Sequence, residues 1–132
     1  MQSISQLSDG TYVMTVESNK HYFANYYGGT KYPFVIDLFF SEDGITWTDP
    51  TTIAKAPNAG YYCAAPWVDT LPDGRIVVSY QTDEHRSEPL TDNTNSHTKH
   101  QMKVLVSKSA VSYADRTTIS GASFDSYRPL DH

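Results

Sequence analysis

The chain contains one cysteine, Cys63, among 132 residues. No disulfide can close within it, and a lone thiol of this kind reads as a small buried hydrophobe. No apolar run approaches the ~18 residues that a membrane-spanning helix needs. Long runs of Ala, Leu, Glu and Lys, which helices favour, are missing as well. Positive charge is scarce: 10 Lys and Arg stand against 15 Asp and Glu, for a formal charge of −5 and a pI near 5.4. That balance argues against a nucleic-acid partner, which selects a basic face. Residues 1–4 carry neither a basic segment nor an apolar core, so no signal peptide is expected, and a secreted or periplasmic parent stays compatible. No Gly-rich phosphate loop and no Gly-x-Ser-x-Gly elbow occurs, so nucleotide and serine-hydrolase chemistry find no footing. His97 and His100 have no third ligand at a useful spacing, with His85 and Asp92 unmotivated, so neither a metal nor another cofactor is expected.

What is present favours strands and turns. The chain has 10 Tyr, 7 Gly and 7 Pro, and its length suits one domain. Strands are expected over 3–7, 11–16, 34–40 and 46–53. The breaks are Ser8-Asp9-Gly10, a polar loop over 18–31, and a turn over 41–47. The same order then recurs. Strands are expected over 65–71, 75–80, 102–106 and 116–119, with Pro72-Asp73-Gly74, a loop over 81–100 and a turn over 107–113 between them. Leu7-Ser8-Asp9-Gly10 aligns with Leu71-Pro72-Asp73-Gly74, position 7 on position 71, an offset of 64; Ser41 aligns with Ser107, an offset of 66. A period near 65 with four strands per unit predicts an all-β fold of two four-stranded antiparallel meanders. The first unit is placed at 1–59 and the second at 60–122, with 123–132 a tail or the start of another. Runs 34–40 and 102–106 do not alternate cleanly, which fits strands covered on both faces. An immunoglobulin-like sandwich is the rival all-β arrangement, but it would give more strands and cleaner alternation.

The turn Ser41-Glu42-Asp43-Gly44-Ile45-Thr46-Trp47 organises the first unit. Asp43-Gly44 supplies a positive-φ corner, and the Asp43 carboxylate can accept backbone N–H groups there. Ser41 and Thr46 can bond across the turn, and Trp47 can lie on a neighbouring sheet. In the second unit Ser109, Ala110, Ser112 and Tyr113 stand at the places of Asp43, Gly44, Thr46 and Trp47, a decayed copy over 107–113. The pattern Ser-x-Asp-Gly-x-Thr-Trp resembles the Asp-box of the sialidase-like β-propellers. Residues 60–68 and 71–84 are similar to the glycoside hydrolases of that superfamily, most of all to its exo-arabinanase branch. The resemblance implies six blades, an active site at one end of a central channel, and Asp-boxes on outer turns away from the chemistry. Ser41, Asp43, Gly44, Thr46 and Trp47 are then structural. This chain matches two blades. It is expected to be a fragment of a larger enzyme, a unit of which three copies close a ring, or a different packing, with self-association through exposed faces.

Glycoside hydrolysis needs two carboxyl groups flanking the scissile bond. Glu17 ends the second strand of the first unit, and Glu84 follows the second strand of the second. The resemblance puts catalytic glutamates on such positions, so Glu17 and Glu84 are expected to carry the acid and nucleophile roles, in either order, with Asp83 the nearest substitute for Glu84. Rings suit the apolar faces of a sugar; Tyr61 and Trp67 are the expected platforms, with Tyr22, Tyr26, Tyr27 and Tyr62 nearby. Arg86 can orient the acid or bind a carboxylate. Only Arg75, Arg86, Arg116 and Arg128 are present, and they do not form an evident arginine triad, which disfavours a sialic-acid substrate. The expected function is thus a piece of a retaining, exo-acting glycosidase that cleaves a terminal sugar, with little activity in two blades alone. The alternatives are a non-catalytic module binding carbohydrate or protein, and a unit that assembles into a ring.

Overall fold

The computed structural model describes residues 2–18, 34–56, 63–82 and 101–128. Two turns of the same geometry open the two halves. Leu7 N–H donates to Thr11 O (2.7 Å) and Gly10 N–H to Leu7 O (2.9 Å); Leu71 donates to Arg75 O (2.8 Å) and Gly74 to Leu71 O (2.9 Å). Both glycines sit at φ +88°, which only glycine adopts without strain. Asp9 and Asp73 each accept the N–H two residues on, from Thr11 at 3.0 Å and Arg75 at 3.1 Å. The repeated tetrapeptides therefore fold alike.

From these turns grow two four-stranded antiparallel sheets, each in sequential order. The first holds β1 (Gln2–Gln6), β2 (Tyr12–Ser18), β3 (Val35–Ser41) and β4 (Thr51–Lys55). The second holds β5 (Cys63–Thr70), β6 (Ile76–Thr82), β7 (Gln101–Ser107) and β8 (Phe124–Tyr127). The sheets stack with β5 against β1 and β2. Their bonds to one another keep an almost constant sequence separation. Ser3 Oγ accepts from Val68 N–H (3.2 Å), Ser5 and Thr70 hydroxyls share a bond (2.9 Å), and Thr51 Oγ1 donates to Arg116 O (3.3 Å), each pair 65 residues apart. Thr70 Oγ1 donates to Gln6 O at 2.8 Å, 64 apart. A fixed separation near the repeat length means that β1 and β5 run the same way, and that the second unit lies on the first displaced by one repeat.

One core fills the space between them. Val13, Ile36, Leu38 and Phe40 of the first sheet are fully buried, and Val68, Ile76, Val78 and Leu105 of the second close over them. Cys63 is buried in this cluster outside any disulfide, its Sγ 3.5 Å from Phe34 O.

Two of the expected strands are displaced. The fourth strand of the first sheet begins at Thr51, not 46. Asp43 holds the N–H groups of Ile45 and Thr46 inside the turn, and Pro50 has no N–H to give a ladder. In the second unit 116–119 is not a strand. Residues Tyr113–Thr117 form a 3-10 turn, closed by Ser112 N–H donating to Asp115 Oδ2 (2.8 Å), and Gly121–Ser123 forms another. The fourth strand is Phe124–Tyr127, within the stretch expected to be a tail or a new unit; it pairs with β7 and completes the second sheet. The intervening segment is pinned by buried Val111 and Ile119 and lies close to β4, where a Cβ on Gly121 would come within 2.8 Å of Ile53 O. Burial on both faces holds only in part for β3, where Val35 and Phe39 are half-buried, and not for β7. In β3, Asp37 is buried on the opposite face from Leu38 because Ser18 and Thr52 hydroxyls donate to its carboxylate at 3.0 and 2.6 Å. In β7, Met102 stays 41 % exposed.

Candidate functional site

The antiparallel order gives the stacked sheets two unlike ends. One carries the tight turns 7–11, 41–47, 71–75 and 107–111; the first three are closed by bonds within themselves, and in the fourth Lys108 N–H donates to Ser123 O and Val111 N–H to Gly74 O of the 71–75 turn. At the other, β2, β4 and β6 end and β3, β5 and β7 begin. The connections over 19–33, 57–62 and 83–100 therefore start and finish at this second end. Scaffolds commonly carry function on such long connections.

Glu17, next to last in β2, stands at the second end where the sheets meet. Its Oε2 accepts the backbone N–H of Ala65 at 3.1 Å. Ala65 lies in an irregular stretch of β5, where the register against β6 shifts between Ala64 and Trp67, and its φ is +52°. For an alanine that conformation costs about 1–2 kcal/mol. Pro66, which follows, is fully buried and disfavours a helical-type backbone before it. The glutamate thus holds a strained peptide on the neighbouring sheet, and such strain concentrates at sites of function. The Ala-Pro step inside a strand pattern was a readable signal of this irregularity.

Among the sugar platforms expected from sequence, Trp67 is placed on the outward face of the second sheet, 64 % exposed, in the row of Ser79 and Val104. Glu84, Asp83, Arg86, Tyr61 and the other loop tyrosines lie outside the described residues, as do His85, Asp92, His97 and His100. Of the remaining arginines, Arg75 pairs with Asp73 at 2.7 Å, and Arg116 lies 4.1 Å over the Tyr113 ring. The Asp37 cluster with Ser18 and Thr52 was not anticipated; an Asp in an otherwise apolar strand was its only sequence signal.

The 41–47 turn sits at the end away from Glu17. Ser41 Oγ donates to Asp43 Oδ1 (3.0 Å) and accepts from Gly44 N–H (2.8 Å), with Gly44 at φ +80°. The same Asp43 oxygen accepts from Ile45 N–H (2.8 Å) and Thr46 N–H (2.9 Å). Trp47 is half-buried. Bonding across the turn falls to Thr48, not to the Thr46 hydroxyl: Phe40 N–H donates to Thr48 Oγ1 (3.0 Å) and Thr48 N–H to Phe40 O (2.9 Å). In the second unit Ser107 Oγ donates to Ser109 O (2.8 Å), and the 107–111 turn borders an open cavity of about 220 Å³.

These turns predict an acid response. N–H groups of Thr46 and Ile45, then the Ser41 hydroxyl, hold Asp43 below the usual carboxylate range. Asp73 is lowered by the N–H and guanidinium of Arg75. Burial raises Asp9, but the Thr11 hydroxyl and the N–H groups of Tyr113 and Thr11 outweigh it and leave its pKa lowered. A carboxylate depressed in the folded state contributes stability above its unfolded value of about 4, and that contribution is lost as pH falls through the folded value. Thermal melts between about pH 5 and pH 2 are therefore expected to show falling stability. Asp43→Asn is expected to flatten that slope; an unchanged slope would remove the turn from the account.

Comparison with protein-family models, with curated proteins and with solved structures finds no match. The chain is an all-β protein, its described residues forming two four-stranded antiparallel sheets. Among the described residues no cluster of His, Cys, Asp and Glu is arranged to hold a metal, and no helix is long and apolar enough to cross a membrane.

Proposed function

We propose that the two sheets are consecutive blades of a sialidase-like β-propeller, and that their loop end carries a glycan-directed site of the glycoside-hydrolase type. The observation that supports this most is the Glu17 carboxylate, held at the junction of the sheets by the N–H of a strained Ala65. The Ala65 N–H bond orients this carboxylate, and a positioned carboxylate is the kind of nucleophile glycosidases use. β6 ends at Thr82, two residues before Glu84, at this same end of the stack. Glu84 is the proposed acid. It would protonate the leaving oxygen while Glu17 attacks the anomeric carbon, and water would then release the sugar. Tyr61, Asp83 and Arg86 are proposed to contact the sugar, and Asp43 with its neighbours to be structural.

The test is a titration of the chain with terminal arabinofuranosyl oligosaccharides and other exo-linked glycans. It reads backbone amide shifts at Ala65 and Thr82 together with release of free sugar. Release by two blades alone is expected to be slow, and Glu17→Gln and Glu84→Gln are each expected to lower it by a further ~100-fold or more without loss of fold. Binding with no release at all over prolonged incubation would make this a glycan-binding module. A panel that gives neither shifts nor release, or release that survives both substitutions, overturns the reading.

A further inference from the structure

Equivalent rows of the two sheets have opposite exposure. On the face of the first sheet that meets the second, Ser3, Thr15 and Leu38 lie in one row across β1, β2 and β3, and all are buried. Their repeat equivalents, Trp67, Ser79 and Val104, also form one row, and it lies on the outward face of the second sheet. Trp67 is 64 % exposed there, and Ser79 and Val104 are only half-buried. The converse holds for the other faces. Val68, Val78 and Leu105 form a row buried against the first sheet. Their equivalents Ile4, Met14 and Phe39 form the matching row on the outward face of the first, where Ile4 is 55 % exposed.

Each open face is thus the counterpart of a face already covered inside the chain. The outward face of the second sheet is of the kind that receives a sheet, and the outward face of the first is of the kind that is received. The turns repeat the relation. Asp9 Oδ2 accepts the Tyr113 N–H of the second unit at 2.9 Å, whereas Asp73, its equivalent, turns Oδ2 to its own Arg75. Gly74 is wedged against Ser8 and Ala110, whereas nothing stands within 4 Å of a Cβ on Gly10.

We propose that a second copy of this chain docks on the first head to tail, laying its Ile4, Met14 and Phe39 row over Trp67, Ser79 and Val104. The occupant follows from the interface within the chain, because the docking face of the copy is the repeat equivalent of the face that seals that interface. The bulk differs in detail: Trp67 replaces the small Ser3, and the smaller Ser79 and Val104 replace Thr15 and Leu38 beside it, so volume moves along the row. Trp47 N–H of the second copy, the equivalent of Tyr113, meets Asp73. Two unlike faces make the contact heterologous, so each copy keeps one face of each kind for further neighbours until a ring closes. This inference does not rest on the carbohydrate reading, and its test reads mass alone.

The test uses the full chain and two face-blocking variants, Ile4→Lys and Trp67→Lys, both at exposed positions. Mass is read by light scattering across a wide range of protein concentration, and folding is checked by circular dichroism. The unsubstituted chain is expected to grow beyond its 14.8 kDa monomer. Each variant alone is expected to stay monomeric. Mixed, they are expected to give a 1:1 complex of twice that mass which grows no further, because each supplies the face the other lacks. Met102→Lys replaces Trp67→Lys if the latter does not fold, since Met102 stands on the same face at 41 % exposure. A monomer at every concentration, variants that still self-associate, or a mixture that stays monomeric overturns the proposal.

Discussion

Phe40→Ala is expected to cost about 3–5 kcal/mol of folding stability, a large share of the 5–15 kcal/mol that a domain commonly has. Phe40 is fully buried, in the row of Ser5 and Val13, on the face of β3 that meets the second sheet. Removing its ring opens a cavity in the core that both sheets share, so both should loosen together. Phe39, one residue earlier, points to the open side and is only half-buried. Phe39→Ala is expected to cost the isolated chain about 1 kcal/mol, from the partial loss of apolar burial. Denaturant melts of the two variants compare the faces directly. Equal losses would mean that the two sides of β3 are equally packed, contrary to the stacking described.

Gly74→Ala should be the next most damaging change, at about 2–5 kcal/mol. Two costs add there. At φ +88° an alanine is strained, and its Cβ would come within 2.8 Å of Ser8 Oγ and 2.9 Å of Ala110 Cβ. The Ser8 hydroxyl can swing away, but the Ala110 methyl has no such freedom. Gly10 has the same φ with open space around it, so Gly10→Ala carries only the strain, about 1–2 kcal/mol. The difference between these two substitutions at one repeat position measures how tightly Gly74 is packed, chiefly against Ala110 of its own unit and secondarily against Ser8 of the first. Melts that show no difference would mean that Ala110 and Ser8 yield to a methyl group at Gly74.

Much of the fold was legible because its signals are local. Asp-Gly at 9–10, 43–44 and 73–74 announces positive-φ corners, and all three glycines adopt them. The strand order followed from these corners and from the β-rich runs between them. The fourth strands were misplaced because their positions depend on non-local bonding. Residues 116–119 look no less strand-like than 124–127. What separates them is Asp115 capping Ser112 and the burial of Val111 and Ile119. The Thr46 hydroxyl was likewise a reasonable partner across the turn, until Thr48 was found opposite Phe40. At the site, Glu17 stood out by its place at a strand end, but nothing near it in sequence names Ala65, 48 residues away, as its hydrogen-bond partner.

The order of residues alone settled the all-β character, the spacing of the turns and the near-65-residue recurrence, because backbone conformation at Gly, Pro and Asp is decided within a few bonds. Which face of each sheet is covered lies beyond that reach. Ser3 and Trp67 occupy the same place in their units, yet one is buried and the other open. Their fates differ only because a sheet lies over the first and none over the second, and burial of that kind belongs to the assembled chain.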